Sequence, residues 1–305
     1  MNARFHAVVK ALGQHIIGKQ EQIKLAITCL IANGHLLIED LPGMGKTTLS
    51  HGLASAFGLN FSRIQFTSDL LPADMLGVNI FDSQQHEFTF KPGPLFNQLV
   101  LADEINRASP KTQSALLEAM EEHQVSVDGT TYALPRPFFV IGTQNPSYQS
   151  GTYPLPESQL DRFLMRISLG YPSWEAETAM LQGGGNRQQF TMPEVISTAD
   201  LLVYQQEVNQ IHCSDNVISY ILRLVTQSRE EGVYPNALSP RASKALLQAA
   251  KAWAYLHARE FVVPEDIQAV FVAVAEHRLR SERDDPREQK VLSERLLESV
   301  DPIAA

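Results

Sequence analysis

The chain has 305 residues, 44% hydrophobic and 19% charged, with a formal net charge of −9. That composition is ordinary for a globular protein, and the acidic balance argues against a nonspecific nucleic-acid binder, although a local basic channel stays open. The longest apolar run, residues 269–275, is far too short to span a bilayer, and Met1-Asn2-Ala3-Arg4-Phe5-His6 lacks the apolar core of a signal peptide. Cys29 and Cys213 are widely separated and without metal-ligand neighbours, so buried reduced thiols and a cytoplasmic home are the expectation.

In chain order, residues 4–33 predict two helices around Gly13 to Gly18. The apolar run 35–39 predicts a short buried strand and 49–57 a helix. Between them stands Asp40-Leu41-Pro42-Gly43-Met44-Gly45-Lys46-Thr47-Thr48. Strand, glycine loop and helix form the context of a phosphate-binding loop. Gly43 and Gly45 allow backbone angles that turn several N–H groups inward at a helix N-terminus. Lys46 supplies charge for the β- and γ-phosphates, and the Thr47 hydroxyl is placed for Mg²⁺. The usual pattern opens with Gly where this chain has Asp40, a position that only begins the loop. The Lys46 side chain is expected to face solvent while the loop is empty. The expected ligands are therefore ATP and Mg²⁺.

Residues 61–67 predict a second strand, and 78–81 with 87–90 a hairpin around a polar turn. A third strand, 99–104, ends in Asp103-Glu104. Asp103 is assigned to Mg²⁺ and Glu104 to polarising the attacking water as general base. Ser109 caps, and Pro110 opens, a helix through residue 122. Residues 125–127 and 131–134 flank Asp128-Gly129, a hairpin turn. Residues 138–142 and 165–169 are the fourth and fifth strands. Asn145 follows the fourth, where it could contact the γ-phosphate and the lytic water. A turn-capping Asn before Pro146 accounts for it equally well.

The alternation through residue 170 predicts an α/β layer fold with a mostly parallel sheet, residues 1–170 forming the ATP-binding domain. Residues 171–305 predict a helical second domain: a flexible loop at 183–186, helices over 201–212, 215–230, 239–257 and 264–280, and a solvated helix or tail over 281–305. On residues alone, Asp161-Arg162 reads as a local ion pair and Arg241 as a surface charge near a helix start.

The order of Gly18-Lys19-Gln20, the loop at 41–47, Ala102-Asp103-Glu104-Ile105-Asn106-Arg107-Ala108, Gly142-Thr143-Gln144-Asn145-Pro146, Leu155-Pro156-Glu157-Ser158-Gln159-Leu160-Asp161-Arg162-Phe163 and Ser239-Pro240-Arg241 resembles the AAA+ ATPases, and within them the MoxR family. The resemblance covers almost the whole chain. It implies a three-layer α/β/α nucleotide-binding domain with a helical lid. Ile17 and Gly18 would help seat the adenine, and Pro42 through Thr48 would hold the phosphates. Asn145 would be the sensor of the γ-phosphate, and Arg241 a second sensor. Arg162 would be the arginine finger reaching a neighbouring subunit, with Arg166 as its rival. It further implies a homo-oligomeric ring, a hexamer, acting on protein clients, with von Willebrand factor A domain proteins as suggested partners.

Three functions compete: ATP-driven remodelling or maturation of proteins, DNA translocation, and a regulatory nucleotide binder with little turnover. Neither hairpin (78–90 or 125–134) contains Lys or Arg, which a motor gripping phosphates would want, although Lys91 and Arg136 flank them. A pure binder does not need Glu104. Remodelling is the reading these residues favour.

Overall fold

The computed structural model describes residues 1–84, 86–145, 152–182, 192–280 and 291–302. Two helices lead in, α1 (Ala3–Gly13) and α2 (Gln20–Ile31), followed by β1 (Leu36–Glu39) and α3 (Lys46–Ala56). β2 (Phe61–Gln65) and the short α4 (Pro72–Leu76) precede a hairpin, β3 (Gly77–Asp82) with β4 (Glu87–Pro92). β5 (Leu99–Asp103) leads through a 3-10 turn, Ile105–Arg107, to α5 (Pro110–Glu122). A second hairpin, β6 (Gln124–Val127) with β7 (Thr130–Ala133), precedes β8 (Phe139–Gln144), α6 (Glu157–Leu160) and β9 (Met165–Ile167).

Five strands form one sheet in the order β2-β5-β8-β1-β9, every pair parallel. Side chains alternate across it as strand pleating requires. Leu36, Ile38, Leu99, Leu101, Phe139 and Ile141 face a core shared with α1, α2, α3 and the C-terminal helices. Leu37, Val100, Ala102 and Val140 face a second core beneath α5 and the hairpins. β5 is buried at every position because both faces are covered. The sheet runs Leu36 beside Ile141 on one side and beside Met165 on the other, which aligns the carboxyl ends of β1, β5 and β8.

The C-terminal part is helical: α7 (Trp174–Gln182), α8 (Thr198–Gln210), α9 (Asp215–Gln227), α10 (Pro240–Leu256), α11 (Pro264–Leu279) and α12 (Leu292–Glu298). Ser109, Ser197 and Ser239 accept from the N–H groups of Thr112, Asp200 and Ala242, capping α5, α8 and α10. α12 departs from the solvated helix or tail expected over 281–305. Leu296 is buried, and Ser293 is buried with its N–H and hydroxyl both donating to Glu276 Oε2, at 2.8 and 2.6 Å. The loop expected at 183–186 and the segment 281–290 lie outside the described residues. Among the described residues no helix is long and apolar enough to cross a membrane.

The two hairpins touch each other. Phe90 stacks on Tyr132, with ring centroids 3.9 Å apart and 14° between planes, and Asn79 Nδ2 donates to Asp128 Oδ2 at 2.7 Å. Ile80, Phe81 and Phe88 remain exposed at the free end of the first hairpin.

Candidate nucleotide site

The loop between β1 and α3 has the backbone the sequence demands. Gly43 and Gly45 sit at φ 88° and 92°, and a Cβ on either would project into open space. Only glycine adopts these angles without strain, and any side chain there would fill the hollow at the start of α3. Thr47 is exposed at the first turn of that helix and Thr48 half-buried, while Met44 packs on the core and Pro42 is exposed.

Lys46 differs from expectation. It is only 8% exposed, and its Nζ donates to the Asp40 carbonyl at 2.8 Å, so the ammonium folds back into the protein. Burial lowers its pKa, and the nearby carboxylates of Asp103, Asp40 and Glu104 partly offset that shift. The charge is thus held beside the hollow and has a single backbone acceptor to exchange for a phosphate.

Asp40, where the usual loop has glycine, has a structural task. Its carboxylate accepts from Ser168 Oγ at 2.7 Å, Leu169 N at 2.5 Å and Gly170 N at 3.1 Å. It therefore fastens the start of the loop to the segment leaving β9. That segment continues to Tyr171, whose carbonyl accepts from Lys19 Nζ at 2.7 Å. Ile17 and Gly18 consequently lie next to the chain that borders the loop, with Ile17 exposed and Gly18 at φ 78°.

Asp103 and Glu104 close the carboxyl end of β5. Asp103 is 8% exposed; its Oδ1 accepts from Thr143 Oγ1 at 2.6 Å, and its Oδ2 pairs with Arg63 of β2 at 2.5 Å. Glu104 lies in the left-handed region at φ 58°, held there because its N–H donates to Thr143 Oγ1 at 2.8 Å. Its side chain is oriented from three sides: Asn145 Nδ2 at 3.1 Å, Gln65 Nε2 at 3.2 Å and Arg107 Nε at 3.1 Å. Asn145 thus sits against the proposed base, and its Oδ1 is buried with no partner. Thr143, Arg63, Gln65 and Arg107 were not singled out from sequence. The available signals were a hydroxyl in a buried strand and, in β2, Arg63 and Gln65 at alternate positions on one face of the strand. Thr47 and Asp103 offer the hard oxygen donors that Mg²⁺ takes.

The remaining arginines stand elsewhere. Arg162 Nε lies 3.0 Å from Glu121 Oε2, although its N–H is not aimed at that oxygen, and Arg241 Nη2 pairs with Glu121 Oε1. Both border a cleft of about 320 Å³ with Asn33, His35, Glu121 and Lys244. Asn33 and His35 precede β1, whereas the phosphate loop follows it, so roughly 15 Å of strand separates the two places. Arg241 is therefore not brought to its own chain's loop; it stands beside Arg162. The Asp161–Arg162 pair read from the residues alone does not form, since Asp161 Oδ1 accepts from Arg278 Nε at 2.6 Å. Arg166 is held against Glu39 of β1 at 2.6 Å and is not part of the cleft.

A chain built this way is a P-loop ATPase of the AAA type with a helical lid. A model of the ATPase family associated with various cellular activities matches residues 35–165, and an AAA lid model matches residues 230–300. The chain is 46% identical over 272 residues to the uncharacterized protein YeaC of Bacillus subtilis, covering 89% of this chain and 85% of that one. It is 38% identical over 300 residues to the chaperone MoxR1 of Mycobacterium tuberculosis, covering 93% and 78%. A solved structure from Cytophaga hutchinsonii, described as a candidate ATPase, superposes with a TM-score of 0.88 at 37% identity, covering 98% of this chain and 94% of that one. The chain belongs to the MoxR family of AAA+ ATPases.

Proposed function

We propose that this chain hydrolyses ATP at a site completed by a neighbouring subunit, and uses the cycle to remodel or mature protein clients. One observation carries the reading. The phosphate loop with Glu104 and Asn145 stands at one end of β1, and Arg162 with Arg241 stands at the other. Neither arginine can reach the triphosphate of its own chain, so both are assigned to a neighbour's.

In this reading Pro42 through Thr48 wrap the phosphates, with Lys46 leaving the Asp40 carbonyl for the β- and γ-phosphate oxygens. Ile17 and Gly18 border the adenine. Thr47 and Asp103 would hold Mg²⁺, which when bound screens the phosphate charge. Glu104 takes the proton from the attacking water, and Asn145 fixes both that carboxylate and the γ-phosphate. The guanidinium of Arg162, seconded by Arg241, stabilises charge on the transferring phosphoryl group. Residues 1–170 form the nucleotide-binding domain and 171–305 the lid, in a cytoplasmic ring taken from the family as a hexamer.

Protein rather than nucleic acid is the favoured client because the exposed hairpin residues are Val78, Ile80, Phe81 and Phe88, with no Lys or Arg between 78 and 90. A partner with a von Willebrand factor A domain rests on the family resemblance, and the name chaperone on the mycobacterial relative.

The test mixes two inactive variants, Arg162→Ala and Glu104→Gln. In randomly mixed rings about a quarter of the interfaces pair an intact Glu104 with an intact Arg162 on the neighbour, so turnover should return in that proportion. Mixed rings that form and stay inactive would refute the shared site, as would wild-type turnover per subunit that holds constant down to a proven monomer.

A further inference from the structure

Arg278, in the last turn of α11, is a charged side chain that the site described above does not use. It is only 8% exposed, and its hydrogen bonds all go to a few residues. Nε donates to Asp161 Oδ1 at 2.6 Å; Nη1 donates to Leu164 O at 3.2 Å and to Val274 O; Nη2 donates to Phe163 O at 2.8 Å and Asp161 O at 3.2 Å. All five guanidinium N–H donors are thus engaged, four of them by residues 161, 163 and 164, on both sides of Arg162.

Two further contacts join the same segment to the C-terminal helices. Ser239, the N-cap of α10, donates from Oγ to Asp161 Oδ2 at 3.3 Å, and the ring Nε2 of the neighbouring His277 lies 3.2 Å from Phe163 O. Arg162 makes only a poorly aimed ion contact, Nε to Glu121 Oε2 at 3.0 Å, so the backbone that carries it is the main determinant of its direction. A guanidinium withdrawn from water is costly, and apolar packing alone would serve stability as well or better. A planar fork spanning four carbonyls and a carboxylate instead fixes geometry.

We infer that Arg278 is the positioning residue of the arginine finger: with Asp161 it clamps the segment 161–164 to α10 and α11, so that Arg162 is presented to the neighbouring subunit by the helical lid and moves with it. The inference rests on the reading that Arg162 serves a neighbour's nucleotide. The loop, Asp103 and Glu104 take no part in the clamp. Loosening it therefore harms the neighbour's turnover and spares the subunit's own nucleotide affinity.

The experiment uses the full chain with Arg278→Lys, which keeps the charge and loses the fork, and Asp161→Asn, which keeps the shape and loses the charge. Each variant is assayed for ATP affinity, for turnover alone, and for turnover when mixed with Glu104→Gln or with Arg162→Ala. Affinity should stay within about twofold of wild type while turnover falls roughly 10- to 100-fold, the loss expected when a reacting group is misplaced by an ångström. Mixing with Glu104→Gln should restore activity, because that subunit brings an ordered finger. Mixing with Arg162→Ala should not.

A merely structural Arg278 would lower affinity and melting temperature together and gain nothing from either partner; that result overturns the inference. If Arg278→Lys does not fold, Asp161→Asn decides, and wild-type turnover in folded Asp161→Asn also overturns it. Failure of the Arg162→Ala with Glu104→Gln pair to complement refutes the shared site instead, and the clamp's catalytic role falls with it.

Discussion

Replacing Asp40 by glycine would restore the usual opening of a phosphate-binding loop, and the structure predicts that it damages this protein. The Asp40 carboxylate accepts three hydrogen bonds, from Ser168 Oγ, Leu169 N and Gly170 N. Net contributions of bonds to a charged group run to about 1.5–3 kcal/mol each. They do not sum here. Ser168 and Gly170 are only part-buried and can turn to water, whereas Leu169 N is buried and would be left without an acceptor. A loss of about 3 kcal/mol is the expected net for Asp40→Gly, with a smaller loss for Asp40→Asn, which keeps the size and one acceptor. For a chain of 305 residues that corresponds to a fall of roughly 5 °C in Tm. Thermal and urea unfolding of wild type, Asp40→Asn and Asp40→Gly should rank in that order. An Asp40→Gly variant that melts within about 2 °C of wild type would refute the fastening role.

Lys46→Ala should abolish ATP binding in titration calorimetry and also cost about 1 kcal/mol of stability, because Nζ is bonded to the Asp40 carbonyl; near-normal affinity would remove the loop's assignment. Glu104→Gln should bind ATP and hydrolyse it on the order of 10²–10⁴-fold more slowly, while Asp103→Asn should weaken the Mg²⁺ dependence; identical behaviour of the two in a Mg²⁺ titration of turnover would contradict the division of roles. Acid should unfold the protein partly through His35, whose pKa burial lowers from 6.5 to about 4. Its Nδ1 accepts from Val140 N, and its Nε2 lies 3.2 Å from Met120 O, so the ring is held neutral with both nitrogens used. The unfolded chain takes up a proton there first, so the contribution is complete above pH 6.5 and is lost as pH falls towards 4, about 3 kcal/mol in all. The stability difference between wild type and His35→Asn should shrink across that interval, and a constant difference would show that His35 is not held neutral.

What the chain spells out locally could be read without a structure. Gly43, Gly45 and Pro110 state backbone requirements within a few residues, and the strand patterns place Asp103 and Glu104 at a buried tip. The caps Ser109 and Ser239 are equally local. α7 has a local start signal too, Ser173 followed by Glu175 and Glu177, and in the structure Ser173 Oγ accepts from Ala176 N. Other relations lie between residues far apart along the chain. Arg278 meets Asp161 across 117 positions, and Arg241 meets Glu121 across 120. No spacing rule reports such pairs, so Asp161-Arg162 reads as neighbours pairing with each other when each is paired elsewhere. The burial of Lys46 was hidden for a different reason, since the acceptor that draws its ammonium inward is a backbone carbonyl, which has no letter in a sequence.

If Arg162 and Arg241 serve a neighbour's nucleotide as proposed, the separation of the phosphate loop from their cleft gives each subunit a donor end and an acceptor end. A contact between unlike ends is heterologous: it has no twofold axis and never satisfies itself in a pair. Two subunits meeting this way still leave one open site and one unused cleft. Assembly stops only when the chain of contacts closes on itself; otherwise it continues as a helix. A subunit defective at one end is therefore a terminator of known polarity. A folded variant whose cleft face is blocked would cap growing arcs at one side only, and small amounts of it would silence far more wild-type protein than its own share.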